Sequence, residues 1–342
     1  MSGTLATLHD VALLDLDGVV YVGDHAVSGA VSAVEAARSA GMRMAFVTNN
    51  AGRPPEAVAA HLVGLGIAAT AEEVVTSAQA GAALLAERLA PGASVLAVGG
   101  PGVALALERA GLRAVAPRDD TSTVEAVLQG FGRDLTWSDL AAAALAVQRG
   151  ARWILTNPDL TLPVPGGTAP GNGSLARAVQ AAAGRPPDEI AGKPHPALMT
   201  ASIVRTQARA PLAVGDRLDT DIEGAARCGV PSLLVLTGIC DIAGVLRAGA
   251  GERPDYVGAD LGSLVEPPAA FTGPHGPVRE AGRWRLRSAS AWVEGGELRV
   301  DAAHDWLAGV QCGCAAAWAE ASSPDVAGAA GDLERARRTV GA

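Results

Sequence analysis

Val11-Ala12-Leu13-Leu14-Asp15-Leu16-Asp17-Gly18 is the stretch on which the fold turns. Its first four residues are apolar without alternation, and the run then stops at a carboxylate. A short unbroken apolar run is a strand buried on both faces, the pattern of a parallel sheet covered by helices. The carboxyl end of such a strand is where open α/β sheets place ligand-binding groups, so Asp15 and Asp17 stand at a binding edge. Downstream, Ala30 to Ala40 is an alanine-rich helical stretch stopped by Gly41. Met42 to Val47 repeats the apolar strand and ends in Thr48-Asn49-Asn50, and Pro55 to Leu65 reads as the next helix. Strand, helix, strand, helix predicts a doubly wound, Rossmann-like α/β core.

The pattern then restarts. Ser94 to Val98 is a strand followed by Gly99-Gly100-Pro101-Gly102, and Val124 to Leu128 is another. A helix is expected over Ser138 to Arg149, then Trp153-Ile154-Leu155 leading into Thr156-Asn157-Pro158-Asp159. This block has its own α/β pattern and reads as an inserted domain. Leu212-Ala213-Val214 before Gly215-Asp216, and Ser232 to Leu236 before Thr237-Gly238, look like further strands of the first sheet. The expected organisation is a discontinuous catalytic core over 1–79 and 183–265, an inserted α/β domain over 80–182, and a small α+β extension over 266–342. The extension opens with a Pro/Gly linker from Pro267. Alternation over Arg283 to Ser288 and Trp292 to Asp301 predicts a hairpin turning near Glu294-Gly295-Gly296. Helices are expected from His304 to Ala321 and near Leu333, with Trp284, Trp292, Trp306 and Trp318 filling the core of this small domain.

Composition narrows the function classes. The chain has 342 residues, 49% hydrophobic and 18% charged, which allows two domains with ample core. A net charge of -9 and an aromatic content of 3% argue against nucleic acid as partner. No segment has the length and hydropathy of a membrane-spanning helix, and Met1 to Asp10 does not read as a signal peptide. The four cysteines show no C-x-x-C spacing, and a reducing cytoplasm is the expected compartment. Among the 27 basic residues only Lys193 is lysine, within Gly192-Lys193-Pro194-His195-Pro196. Asparagine is scarce too, with Asn49, Asn50, Asn157 and Asn172. A guanidinium is a planar fork and an ammonium a compact point charge, so a site needing the latter beside a phosphoryl oxygen resists exchange.

Asp15 and Asp17, two residues apart at a strand end, can divide the roles of nucleophile and acid/base. Asp216 at another strand end can complete a Mg²⁺ site, because that ion takes few carboxylates. Thr48 and the amides after it can donate to phosphoryl oxygens while Lys193 neutralises charge. D-x-D-G after a strand, then T-N-N, G-K-P and G-D-x-x-x-x-D in that order, resembles the haloacid dehalogenase superfamily, and within it the NagD-like phosphatases with a large inserted cap.

The resemblance runs from about Leu5 to Gly262 and covers all four motifs. It implies that Asp15 forms an aspartyl-phosphate and that Asp17 protonates the leaving alkoxide and then activates water. It implies Mg²⁺ held by the carboxylates of Asp15 and Asp216 and the main-chain carbonyl of Asp17, with Asp221 behind them. Thr48, the backbone at Asn49, and Lys193 would bind the phosphoryl group. In the cap, Asn157, Asp159 and Leu162 match the substrate loop, where an aliphatic Leu162 favours a small non-aromatic ester. The chain is similar to actinobacterial glycerol-3-phosphate phosphatases with a comparable extension, so glycerol 3-phosphate is the first expectation. Phosphoglycolate, nucleotide and sugar phosphates are the alternatives, and the family's cap face suggests a homodimer. A reading of another class makes 266–342 a binding or regulatory module carried on the core.

Other features read as structural. Gly99 to Gly102 lacks a phosphate-loop lysine and is expected to be a tight turn. Gly166-Gly167 and Gly171-Asn172-Gly173 read as hinge loops, with Asn172 suited to positive φ. Asp219 is expected to be a solvated loop carboxylate, and Cys312 and Cys314 helix-packing residues rather than a redox pair.

Overall fold

The computed structural model describes residues 3–164, 166–302 and 304–340, and the chain forms two compact units. Met1–Met44 and Ala208–Ala342 make one, and Ala45–Gln207 the other. None of the described helices is long and apolar enough to cross a membrane.

In the first unit, Val11–Leu14 is buried at every position and pairs in parallel with Pro211–Gly215. That strand pairs with Ser232–Val235, which pairs with Tyr256–Gly258, all parallel. The unbroken apolar runs thus belong to a parallel sheet, as their lack of alternation requires. Helix Ala30–Ser39 buries Ala30, Ala33, Val34 and Ala37, a spacing that keeps one stripe inward.

The C-terminal region of this unit is a four-stranded antiparallel sheet in the order Val278–Glu280, Arg283–Leu286, Ala289–Glu294, Glu297–Asp301. Helices Trp306–Ala319 and Ala327–Val340 follow. The expected hairpin is therefore the last link of a longer meander, and Gly295 and Gly296 turn it with φ of 59° and 83°. Asp305 caps the first helix, accepting from the Ala308 N–H at 3.0 Å. Its apolar residues share one hydrophobic cluster with Leu234, Val257, Ile242 and Leu246, so the extension packs onto the same core as the parallel sheet. Trp306 is buried there, and Trp284 and Trp318 pack against it. Trp292 departs from expectation. It is half-buried and carries the Arg283 guanidinium 3.6 Å above its ring, a cation–π contact at the sheet surface. Cys312 and Cys314 are buried, free thiols of the helix, and burial pushes the Cys312 thiol up to about 12.

In the second unit the strand ending at Thr48 pairs in parallel with Val74–Thr76. A five-stranded parallel sheet runs in the order Glu189–Ile190, Arg152–Leu155, Ala126–Gln129, Ser94–Val98, Arg113–Val115. A hairpin pairs Thr161–Val164 with Gly167–Pro170, and Gly166 and Gly167 make its turn. Helix Asn172–Ala183 follows directly.

This corrects the hinge reading. Asn172 has no positive φ and is the first residue of that helix, with Gly171 as its N-cap. The flanking glycines serve close approach rather than hinge freedom. A Cβ on Gly171 would meet Asp159 O, and one on Gly173 would overlap Pro158 O. Gly99 to Gly102 is a strand-to-helix turn, with Gly100 as N-cap of Pro101–Arg109.

Candidate active site

Asp15 follows directly on strand Val11–Leu14, its N–H donating to Val214 O at 2.9 Å. Asp216 follows Pro211–Gly215. Parallel pairing of the two strands therefore sets the two carboxylates side by side. Asp221 reaches the same point from a single π-helical turn over Leu218–Ile222, a distortion often found at functional sites. Oxygens of Asp15, Asp216 and Asp221 lie within 4.8 Å of one another. Asp216 and Asp221 are buried at 1% and 2% exposure. Three carboxylates this close repel one another unless a cation sits among them. An all-oxygen donor set, short of full coordination and so leaving places for water, suits Mg²⁺. Asp17 is exposed, and its side chain is not one of this trio. Asp219 is exposed and paired with Arg217 at 2.8 Å.

The trio is held by backbone. The Ile239 N–H donates to Asp216 Oδ2 at 2.6 Å, and the Arg217 N–H donates to Asp221 Oδ2 at 3.2 Å. The Thr237 hydroxyl donates to Gly18 O at 2.6 Å, tying the loop after Asp17 to the loop after Ser232–Val235. Both loops press on Asp216. A Cβ on Gly18 would lie 2.5 Å from its Oδ2, and one on Gly238 would overlap the same atom. Gly18 also holds φ at 85°. Replacing Gly238 by Ala is therefore expected to push Asp216 out of the trio. Titration calorimetry with Mg²⁺ should read a loss of affinity of about tenfold or more, the scale seen when a ligand's supporting group is lost. Wild-type affinity in a folded Gly238→Ala protein would show that Asp216 does not depend on this packing.

The second unit, taken by itself, holds the other polar residues singled out by the motifs. Thr48 is buried, and its Oγ1 accepts from the Asn50 N–H at 3.0 Å. Lys193 is 3% exposed, and its Nζ donates to Val47 O at 3.2 Å. Asn49 clasps Lys193 by its backbone. Its Oδ1 accepts from Lys193 N–H at 2.8 Å, and its Nδ2 donates to Lys193 O at 3.0 Å. The same Nδ2 reaches Asp159 Oδ2 at 3.3 Å. Asn157 is buried and donates to Asn49 O at 2.7 Å, so it ties two loops together. A Cβ on Gly192 would lie 2.5 Å from Thr156 O and 2.6 Å from Asn49 Oδ1, which leaves only glycine before the lysine. Leu162 lines a cavity of about 850 Å³ with Asn50, Arg53, Arg118, Phe131 and Arg133.

Two family models match the chain in sequence. Residues 12–113 match the haloacid dehalogenase-like hydrolases and 190–264 a haloacid-dehalogenase-like hydrolase model. A D-glycerol 3-phosphate phosphatase of Mycobacterium tuberculosis is 50% identical over 261 residues, 76% of this chain and 72% of that protein.

The chain belongs to the haloacid dehalogenase-like hydrolases.

An acid sugar phosphatase of Staphylococcus aureus is 36% identical over 255 residues, 74% of this chain and 95% of that protein. Among solved structures, a glycerol phosphate phosphatase from M. tuberculosis in complex with magnesium aligns with a TM-score of 0.86 and 43% identity, covering 97% of this chain and 98% of that one. A 4-nitrophenylphosphatase from Thermotoga maritima aligns at 0.69 and 30% identity, over 76% of this chain and 98% of that one. In this haloacid dehalogenase-like hydrolase, sequence reasoning gave no role to Gly18, Gly238 and Ile239, which pack on or bind Asp216, or to Ser77, whose hydroxyl donates to Asn49 O at 2.6 Å. The glycine of D-x-D-G and Thr237-Gly238 after an apolar strand were the signals available for the first group. Nothing near Ser77 marks it in sequence.

Proposed function

We propose that this chain is a Mg²⁺-dependent phosphomonoesterase whose substrate is glycerol 3-phosphate. The observation that carries the reading is the carboxylate trio of Asp15, Asp216 and Asp221 at the ends of parallel strands, in a chain with the family's motifs in order. When bound, Mg²⁺ supplies charge neutralisation and orientation of the phosphoryl oxygens, and Asp15, Asp216 and Asp221 are the side chains to hold it.

Asp15 is the nucleophile. Its carboxylate oxygen attacks phosphorus and the ester oxygen departs, leaving an aspartyl-phosphate. Asp17, exposed at the same strand end, gives its proton to the departing alkoxide. It then accepts a proton from the water that opens the acyl-phosphate, which restores both carboxyl groups. Thr48 and Lys193 hold the phosphoryl oxygens, Lys193 as a compact charge. Substrate choice falls to the insert over 80–182, with Leu162 meeting the leaving group. The four cysteines are free thiols, which supports a reducing, cytoplasmic compartment.

One observation favours a second substrate. Arg53, Arg118 and Arg133 line the same cavity as Leu162, and guanidinium groups suit the carboxylate of phosphoglycolate better than neutral glycerol. Phosphate release from both esters, with and without Mg²⁺, separates the readings. The leading one expects metal-dependent turnover with kcat/KM for glycerol 3-phosphate about tenfold higher or more. The reverse order assigns the arginines to substrate. No release from either ester, or from sugar phosphates and mononucleotides, defeats the phosphatase reading.

A further inference from the structure

We infer that a chain of three asparagine carboxamides, Asn172 to Asn157 to Asn49, positions Lys193 for phosphoryl binding. This deepens the phosphatase reading and rests on it for the lysine's role. The chain holds four asparagines, and three of them fall on this one path. Asn172, at the start of helix Asn172–Ala183 and 1% exposed, donates its Nδ2 to Asn157 O at 3.0 Å. Asn157, 4% exposed, donates its own Nδ2 to Asn49 O at 2.7 Å. Asn49 then grips Lys193 with both ends of its carboxamide, at 2.8 Å and 3.0 Å. The contacts join positions 15, 108 and 144 residues apart in sequence.

The chemistry selects asparagine at each step. Every link needs an N–H donor aimed at a main-chain carbonyl, and Asn49 needs an acceptor on the same group as well. A carboxylate of the same shape supplies acceptors only. A longer glutamine would move the carbonyl it grips. Asn49 and Asn157 have both ends engaged, since Asn157 Oδ1 also accepts from the Asp159 N–H at 3.2 Å. Buried, doubly used amides hold a loop in one place far better than solvated ones. Here the loop is the one that carries the only lysine. These three asparagines are positioning residues. Their action reaches the phosphoryl group through Lys193.

Because the chain has one lysine, full-length protein labelled with [ε-¹³C]lysine gives one lysine side-chain signal. Asn157→Asp keeps the size and the acceptor for Asp159 but cannot donate to Asn49 O. Asn157→Ser keeps a hydroxyl that can close the same turn and is the second variant should the first not fold. The inference expects the Lys193 signal to move by more than a linewidth in a folded variant. With p-nitrophenyl phosphate, kcat should fall about tenfold, the scale of a small misplacement. In an active wild type, an unmoved signal overturns the inference whatever kcat does. A moved signal with unchanged kcat overturns it too, since the lysine's placement would then not matter to the reaction. A wild type inactive on every ester defeats the phosphatase reading instead, and the signal alone then decides whether the asparagines place the lysine.

Discussion

Replacing Asp15 by Asn is expected to end phosphate release, lowering kcat by about ten-thousandfold or more, as removal of a covalent nucleophile does. The substitution is isosteric, and the main-chain N–H that anchors this position to Val214 O is untouched. The fold should therefore survive, which circular dichroism will check. Two losses combine. An amide nitrogen or oxygen cannot replace the carboxylate in attack on phosphorus. The trio with Asp216 and Asp221 also falls by one charge, so Mg²⁺ affinity should drop in the same protein. If only the second loss mattered, excess Mg²⁺ would restore turnover. Restoration by metal would thus transfer the role of nucleophile away from Asp15.

The second large effect is expected at Lys193. Lys193→Arg keeps the charge, and everywhere else in this chain arginine is the basic residue. At this position it should still lower kcat about a hundredfold, within the range for losing one preorganised group that stabilises transition-state charge. Lys193 is 3% exposed, and its Nζ sits 3.2 Å from Val47 O. A guanidinium is larger and planar, and its donors cannot converge on the place of one ammonium. It must displace its neighbours or turn away from the phosphoryl oxygens. Lys193→Ala should lose still more, because it removes the charge as well. Steady-state kcat for the two variants settles the matter. An arginine variant within about twofold of wild type would mean that charge alone suffices there.

Much of this architecture was legible in the sequence, and the reasons are particular. Val11–Leu14 and Pro211–Gly215 are buried on both faces, so they write unbroken apolar runs, and each is followed by an aspartate. Asp15 and Asp216 can therefore be placed together from sequence, and the motif order sets Asp221 behind them, whereas the structure brings its oxygen into the same trio. What resisted reading depends on backbone approach across long stretches of chain. Gly171 and Gly173 look like hinge glycines but exist to let a helix meet the Pro158-Asp159 loop, and with them Asn172 was misread as a turn residue. Gly238 reads as any residue after a strand until a Cβ is set against Asp216. T-N-N points to the Asn49 backbone as a phosphoryl donor but says nothing of its side chain, which holds Lys193, 144 positions away. Trp292 alternates like a core residue but lies under Arg283 at the sheet surface. Local pattern carries none of these facts, because each is a contact between two distant pieces of main chain or side chain.

In this mechanism Asp15 carries the phosphoryl group in turnover. The most direct measurement is rapid acid quench of the Mg²⁺-loaded enzyme with radiolabelled phosphate ester, followed by borohydride reduction and peptide mass mapping. Acyl-phosphates survive brief acid, and reduction marks the esterified aspartate permanently. The mechanism predicts transient label on one site, with Asp15 converted to homoserine. Label on another residue, or full turnover with no covalent label at the shortest quench times, would contradict it.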